Sequence, residues 1–179
     1  MEERLIRVGI THGDINGIGY EVILKTFSDI RIADLCTPII YGSSKIAAYH
    51  RKVLEMQPVN ISVINQAEDA GVNRINIINC ADEESKVELG KSTEIAGEAA
   101  FKALEAACND LKRGVIDVLV TAPINKHNIQ NDQFHFPGHT EYLEEVFGVS
   151  GKKALMILMS NNLRVALVTG HLPLSEVVQ

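Results

Sequence analysis

The stretch Leu5-Ile6-Arg7-Val8-Gly9-Ile10-Thr11-His12-Gly13-Asp14-Ile15-Asn16-Gly17-Ile18-Gly19 decides the fold class. Leu5 to Ile10 is a short β-type run, the glycine-rich segment breaks it, and Tyr20 to Phe27 resumes at helical spacing. Strand, glycine loop and helix in that order open an α/β architecture. The alternation continues along the chain. Pro38 to Tyr41 reads as a strand ended by Gly42, and Ser43 or Ser44 is placed to cap a helix running to about Met56. Ile61 to Ile64 and Ile75 to Ile78 are short strands of β-branched residues.

The clearest helix runs from about Ser92 to Arg113. Ala96, Ala99, Ala100, Ala103, Leu104, Ala107 and Leu111 recur on one face, and Gly114 stands where a left-handed glycine would end it. Asp117 to Thr121 is a nearly all-apolar strand, the type buried on both faces of a sheet. Ala154 to Met159 and Leu163 to Val168 read as two more buried strands. The turn Ser160-Asn161-Asn162 joins them as a hairpin. The expected fold is α/β, with α/β/α layers around a mostly parallel mixed sheet. The expected division is 1–120 for the first domain and 121–179 for the start of a second.

With 179 residues, 46% of them hydrophobic and 22% charged, the chain has the composition of a soluble globular protein. The 17 basic residues against 23 acidic ones give a formal charge of -6, which leaves no basic field for tracking nucleic acid. The apolar runs are too short to span a membrane. Cys36, Cys80 and Cys108 are odd in number and scattered, which suits reduced, buried thiols in a cytoplasmic protein.

In open α/β sheets, ligands bind beyond the carboxyl ends of the strands. Three polar segments fall there: Thr11-His12-Gly13-Asp14, Thr121-Ala122-Pro123-Ile124-Asn125-Lys126, and Thr169-Gly170-His171-Leu172-Pro173-Leu174. The glycine loop is neither G-x-G-x-x-G nor a P-loop, so by itself it reads as a tight turn or as backbone approaching a ligand. In Phe136-Pro137-Gly138-His139-Thr140-Glu141, Pro137-Gly138 forces a turn and Thr140 suits a helix N-cap, leaving His139 at the mouth of that helix. His171 suits a metal ligand or an acid-base group, with no second ligand at local spacing. His50 falls in a charged helix and reads as solvated; His12, His127 and His135 carry weaker claims to a role. No G-x-S-x-G elbow and no cysteine with an evident base is present.

These segments together resemble the 4-hydroxythreonine-4-phosphate dehydrogenase family of vitamin B6 biosynthesis, whose fold is like that of isocitrate and isopropylmalate dehydrogenases. The resemblance is carried by Gly13-Asp14-x-x-Gly17-Ile18-Gly19-x-Glu21, Thr121-x-Pro123-Ile124-x-Lys126, Phe136-x-Gly138-His139-Thr140-Glu141 and His171-Leu172-Pro173-Leu174, in the family's order. Ile15 and Tyr20 stand where the family commonly has prolines.

The resemblance implies NAD- or NADP-dependent oxidation of a secondary alcohol, aided by a divalent metal of the Zn, Mg, Co or Mn class. Loss of CO2 from the β-keto acid then gives 3-amino-2-oxopropyl phosphate. By matching position, His139 and Thr140 would bind substrate and His171 would be one metal ligand. Lys126, Asp14 and Thr121 would line the cleft, Lys126 meeting a phosphate or carboxylate. A homodimer is also implied. Family members continue beyond Gln179, so the sequence reads as an N-terminal half with an incomplete fold, expected to be inactive alone. Two alternatives stand beside this reading: a related dehydrogenase of a four-carbon phosphorylated sugar acid, and a non-catalytic α/β module for binding or dimerisation.

Overall fold

The computed structural model describes residues 5–81, 85–149, 152–170 and 172–177, and the expected metal ligand His171 lies outside them. The chain forms two compact units, Met1–His139 and Thr140–Gln179. The division expected after residue 120 falls at the last residues of a strand, and the loop that follows stays with the first unit.

The first unit is built on a five-stranded parallel sheet, β1 (Arg7–Thr11), β2 (Thr37–Gly42), β3 (Ile61–Ile64), β4 (Ile75–Asn79) and β5 (Val118–Thr121), in the order β3-β4-β2-β1-β5. Between them run α1 (Gly19–Phe27), α2 (Ser44–Val53) and α3 (Glu94–Lys112). The period-2 geometry of β2 shows how the layers form. Ile40 packs with Ile23 and Phe27 of α1 and Ile46 and Ala47 of α2. Its neighbours Ile39 and Tyr41 point the other way, to Ala103 and Ala107 of α3. The centre of the sheet is therefore covered on both faces, as parallel strands prefer. Small side chains on the inner face of α3 let the helix lie close, and the Tyr41 hydroxyl donates to Asp110 Oδ2 at 2.7 Å.

Helix ends follow the local chemistry. Ser43 Oγ accepts from the Ile46 N–H and Thr93 Oγ1 from the Ala96 N–H, each cap worth ~1 kcal/mol. Gly114 leaves α3 at φ 70°.

Two expectations about burial are corrected. β5 is not buried on both faces. It is an edge strand among the described residues, opposite β3, with Leu119 packed on the α3 side and Val118 and Val120 42% and 49% exposed on the other. In the second unit, β6 (Met156–Ser160) and β7 (Leu163–Leu167) form the expected antiparallel hairpin, but it is not buried. Apolar content marked these strands as interior, yet every residue of β6 and all of β7 but Leu167 are exposed. α4 (His139–Phe147) precedes it, and Glu144 Oε2 accepts from the Ala154 N–H at 2.8 Å. Thr140 is not the N-cap, because the helix already begins at His139. The three cysteines are free thiols, with Cys108 buried and Cys36 and Cys80 half-buried. Among the described residues no helix is long and apolar enough to cross a membrane.

Candidate active site

Thr11 ends β1 and Thr121 ends β5, and the two are register partners. The loops beyond them are thereby brought side by side, which is where an α/β sheet binds its ligands. Gly13 sits at φ 71°, and a Cβ there would stand 2.3 Å from the Pro123 carbonyl oxygen. Only glycine permits both, and the Asp14 N–H then donates to that same oxygen at 2.9 Å. Gly19 is filled in the same way, since a Cβ would meet the His12 carbonyl oxygen at 2.0 Å. These glycines serve contacts within the protein, and the described loop offers no vacant cradle that identifies a dinucleotide site.

The loop is pinned from three sides. Ile15 is fully buried, and the His50 Nε2–H, reaching across from α2, bonds to its carbonyl oxygen at 2.8 Å. The solvated reading of His50 is thus corrected: it is buried and stacks on Tyr20, ring centroids 5.2 Å apart, and desolvation lowers its pKa. Its spacing from Ile46 and Ala47 puts it on the inner face of α2, a signal present in the sequence. The Tyr20 hydroxyl accepts from the Ser43 N–H at 2.7 Å and reaches the Ser43 carbonyl at 3.2 Å. Ile15 and Tyr20, where the family pattern has prolines, thus hold this loop by burial and hydrogen bonds rather than by a fixed φ.

His12, wholly buried, also stacks on Tyr20, with ring centroids 5.2 Å apart and planes at 12°. Among the described residues neither ring nitrogen has a partner of normal geometry. Burial pushes its pKa down to about 4, with the Ala99 and Gly13 backbone opposing only in part. His12 is therefore neutral at pH 7, and its ring is part of the loop's packing.

Asn16 was not singled out by its sequence context, yet it is 3% exposed and engaged on every side. Its Nδ2 donates to the Lys91 carbonyl and to Thr93 Oγ1, both at 2.9 Å, and its Oδ1 accepts from the Glu88 N–H at 2.7 Å. Its backbone carbonyl accepts from Gly90 at 2.9 Å, and its own N–H donates to Asp14 Oδ1 at 2.9 Å. The segment 88–93 is irregular in structure, so no period in the sequence marks it.

Of the expected site residues, Asp14 is buried in the glycine loop, Thr121 ends β5, and Lys126 is exposed in the turn after Pro123. Asn125 shapes that turn by accepting the His127 N–H on Oδ1 at 2.9 Å. His139 is half-buried, and its Nε2 is enclosed without a partner among the described residues. Desolvation lowers its pKa, and the Lys126 ammonium lies near enough to lower it further. The structure thus brings together Asp14 with the Pro123 loop, and Lys126 with His139. Thr140 is exposed and opens the second unit. His135 is exposed, its Nε2–H at 2.9 Å from the Asp132 carbonyl. Among the described residues no three His, Cys, Asp or Glu side chains gather as a metal centre.

Residues 34–179 match the family model described as "Pyridoxal phosphate biosynthetic protein PdxA". The chain belongs to this family. A 4-hydroxythreonine-4-phosphate dehydrogenase from Bacteroides thetaiotaomicron is 61% identical over 177 residues, covering 99% of this chain and 48% of that protein. The D-threonate 4-phosphate dehydrogenase of Cupriavidus necator is 31% identical, with 100% of this chain and 54% of that protein covered. Among solved structures, a 4-hydroxythreonine-4-phosphate dehydrogenase from Burkholderia phymatum superposes with a TM-score of 0.84 at 29% identity, over 98% of this chain and 53% of that one. The chain spans about half the length of the curated relatives it matches.

Proposed function

We propose that the full-length protein of which this chain forms part oxidises the secondary alcohol of 4-hydroxythreonine 4-phosphate, in vitamin B6 biosynthesis. The resulting β-keto acid loses CO2 to give 3-amino-2-oxopropyl phosphate. The observation that carries this reading is the 61% identity to a dehydrogenase named for that substrate, extending over 99% of the chain. NAD or NADP is the hydride acceptor in the proposal, since no side chain can take a hydride.

The residues of the chain suit the part assigned to them. Burial keeps His139 neutral at pH 7, and an enclosed imidazole nitrogen without a partner favours a ligand oxygen that satisfies it. Lys126, exposed and close by, supplies the positive charge that a phosphate or carboxylate seeks. Thr140 follows His139 in the chain, and Asp14 and Thr121 line the same loops in the proposed cleft. For His171 the metal-ligand role rests on the family motif. The proposed assembly is a cytoplasmic homodimer.

A second reading is favoured by the 31% identical D-threonate 4-phosphate dehydrogenase: the same residues would receive a four-carbon phosphorylated sugar acid. The test uses the full-length protein with divalent metal and NAD or NADP. Oxidation of 4-hydroxythreonine 4-phosphate far faster than of threonate or erythronate 4-phosphate is expected, and the reverse order selects the second reading. His139→Ala should raise KM while changing kcat less.

A further inference from the structure

We infer that Asn16 is a positioning residue that sets the Lys126 turn through the segment 88–93, although it touches neither Lys126 nor His139. The inference rests on the proposed reading for its catalytic consequence, but the geometry stands without it. Three irregular segments close a ring of hydrogen bonds. The glycine loop joins segment 88–93 through the Asn16 side chain and the Gly90 N–H. Segment 88–93 joins the next turn through Ser92, whose Oγ accepts from Asn125 Nδ2 at 3.1 Å. Asn125 in turn caps the Lys126 turn through the N–H groups of His127 and, more weakly at 3.4 Å, Asn128. The Asp14 N–H, bonded to the Pro123 carbonyl, returns the ring to the glycine loop.

Irregular backbone has no helix or ladder to fix it, so its position is set by such side-chain bonds. Asn16 supplies three of them, as many as Asn125, and is buried, whereas Ser92 is an exposed link. A carboxamide is suited to this place because it donates to two acceptors while accepting from a backbone N–H. Removing it loosens segment 88–93, leaving the Gly90 N–H bond to the loop, and removing the Ser92 hydroxyl breaks the Asn125 link between segment 88–93 and the Lys126 turn. If Lys126 meets the anionic end of the substrate, both changes loosen a ground-state binding group and appear in KM rather than kcat.

The test compares Asn16→Ala, Ser92→Ala and Ser92→Thr in the full-length protein, by steady-state kinetics and by amide hydrogen exchange. Asn16→Ala should raise KM for the phosphorylated hydroxy acid at least tenfold with kcat within threefold, and should speed exchange in both 88–93 and 125–129. Ser92→Ala should raise KM by a smaller factor and loosen only 125–129, and Ser92→Thr, which keeps the hydroxyl, should restore both. An unchanged KM in folded Asn16→Ala and Ser92→Ala proteins would overturn the inference. So would faster exchange at 88–93 with 125–129 as protected as before. If the wild-type protein oxidises none of the candidate substrates, the proposed function fails. The exchange pattern alone then decides this inference in the same two ways.

Discussion

The parallel sheet of the first unit and the β6–β7 hairpin of the second are alike in sequence and opposite in environment. Ile39-Ile40-Tyr41 and Met156-Ile157-Leu158-Met159 are both unbroken apolar runs. The first lies between helical layers and is buried throughout, while all four residues of the second are exposed. Apolar content states what a strand gains by being covered, and the partner elements decide whether it is. β5 stands between the two cases, covered by α3 on one face and open on the other.

The largest expected effect probes this contrast directly. In the 179-residue chain, Ile77→Ala, at a fully buried position of β4, should cost about 4 kcal/mol of unfolding free energy by denaturant titration. Leu158→Ala in the hairpin, at 57% exposure, should cost under ~0.5 kcal/mol. Equal losses at the two sites would mean that the hairpin is covered, and the contrast would be broken.

A second test reads the dryness of the first unit through His12. Its pKa is about 4 in the fold against 6.5 for a free imidazole, so below pH 6.5 the unfolded chain binds the proton that the folded one refuses. Stability is therefore full above pH 6.5 and falls as pH drops toward 4, by about 3 kcal/mol from this group. His12→Phe, which keeps a ring against Tyr20, should remove most of that slope. His50, shifted in the same direction, should leave a residual one. A wild-type stability flat from pH 6.5 to 4 would show that His12 is hydrated or paired.

The smallest effect sharpens the margin of the first unit. Thr93→Ala removes the cap of α3 and one Asn16 partner, and should cost about 1 kcal/mol without altering the sheet. A cost near zero would show that water replaces both bonds.

Element order was readable in the sequence because periodicity and end signals are local. The β3 expectation matches its limits, the Ser43 cap is present, and the alanine face of α3 is buried as its spacing required. The candidate site was readable in part. Motif residues fall at strand ends, which puts Asp14 beside the Pro123 loop and Lys126 near His139. His50 was misplaced because charged neighbours hid its helical register with Ile46 and Ala47. Asn16 and segment 88–93 carried no signal, since their bonds join residues more than seventy positions apart.

The sequence by itself determined the α/β alternation, the Ser43 and Gly114 helix ends and the polar strand ends, because each depends on neighbours a few residues away. Tertiary structure alone decided that His12 and His50 both stack on Tyr20, that Asn16 ties the loops, and that the hairpin strands are exposed. Burial and hydrogen-bond partnership are properties of what folding brings alongside a residue, and its own identity fixes only what it will accept there.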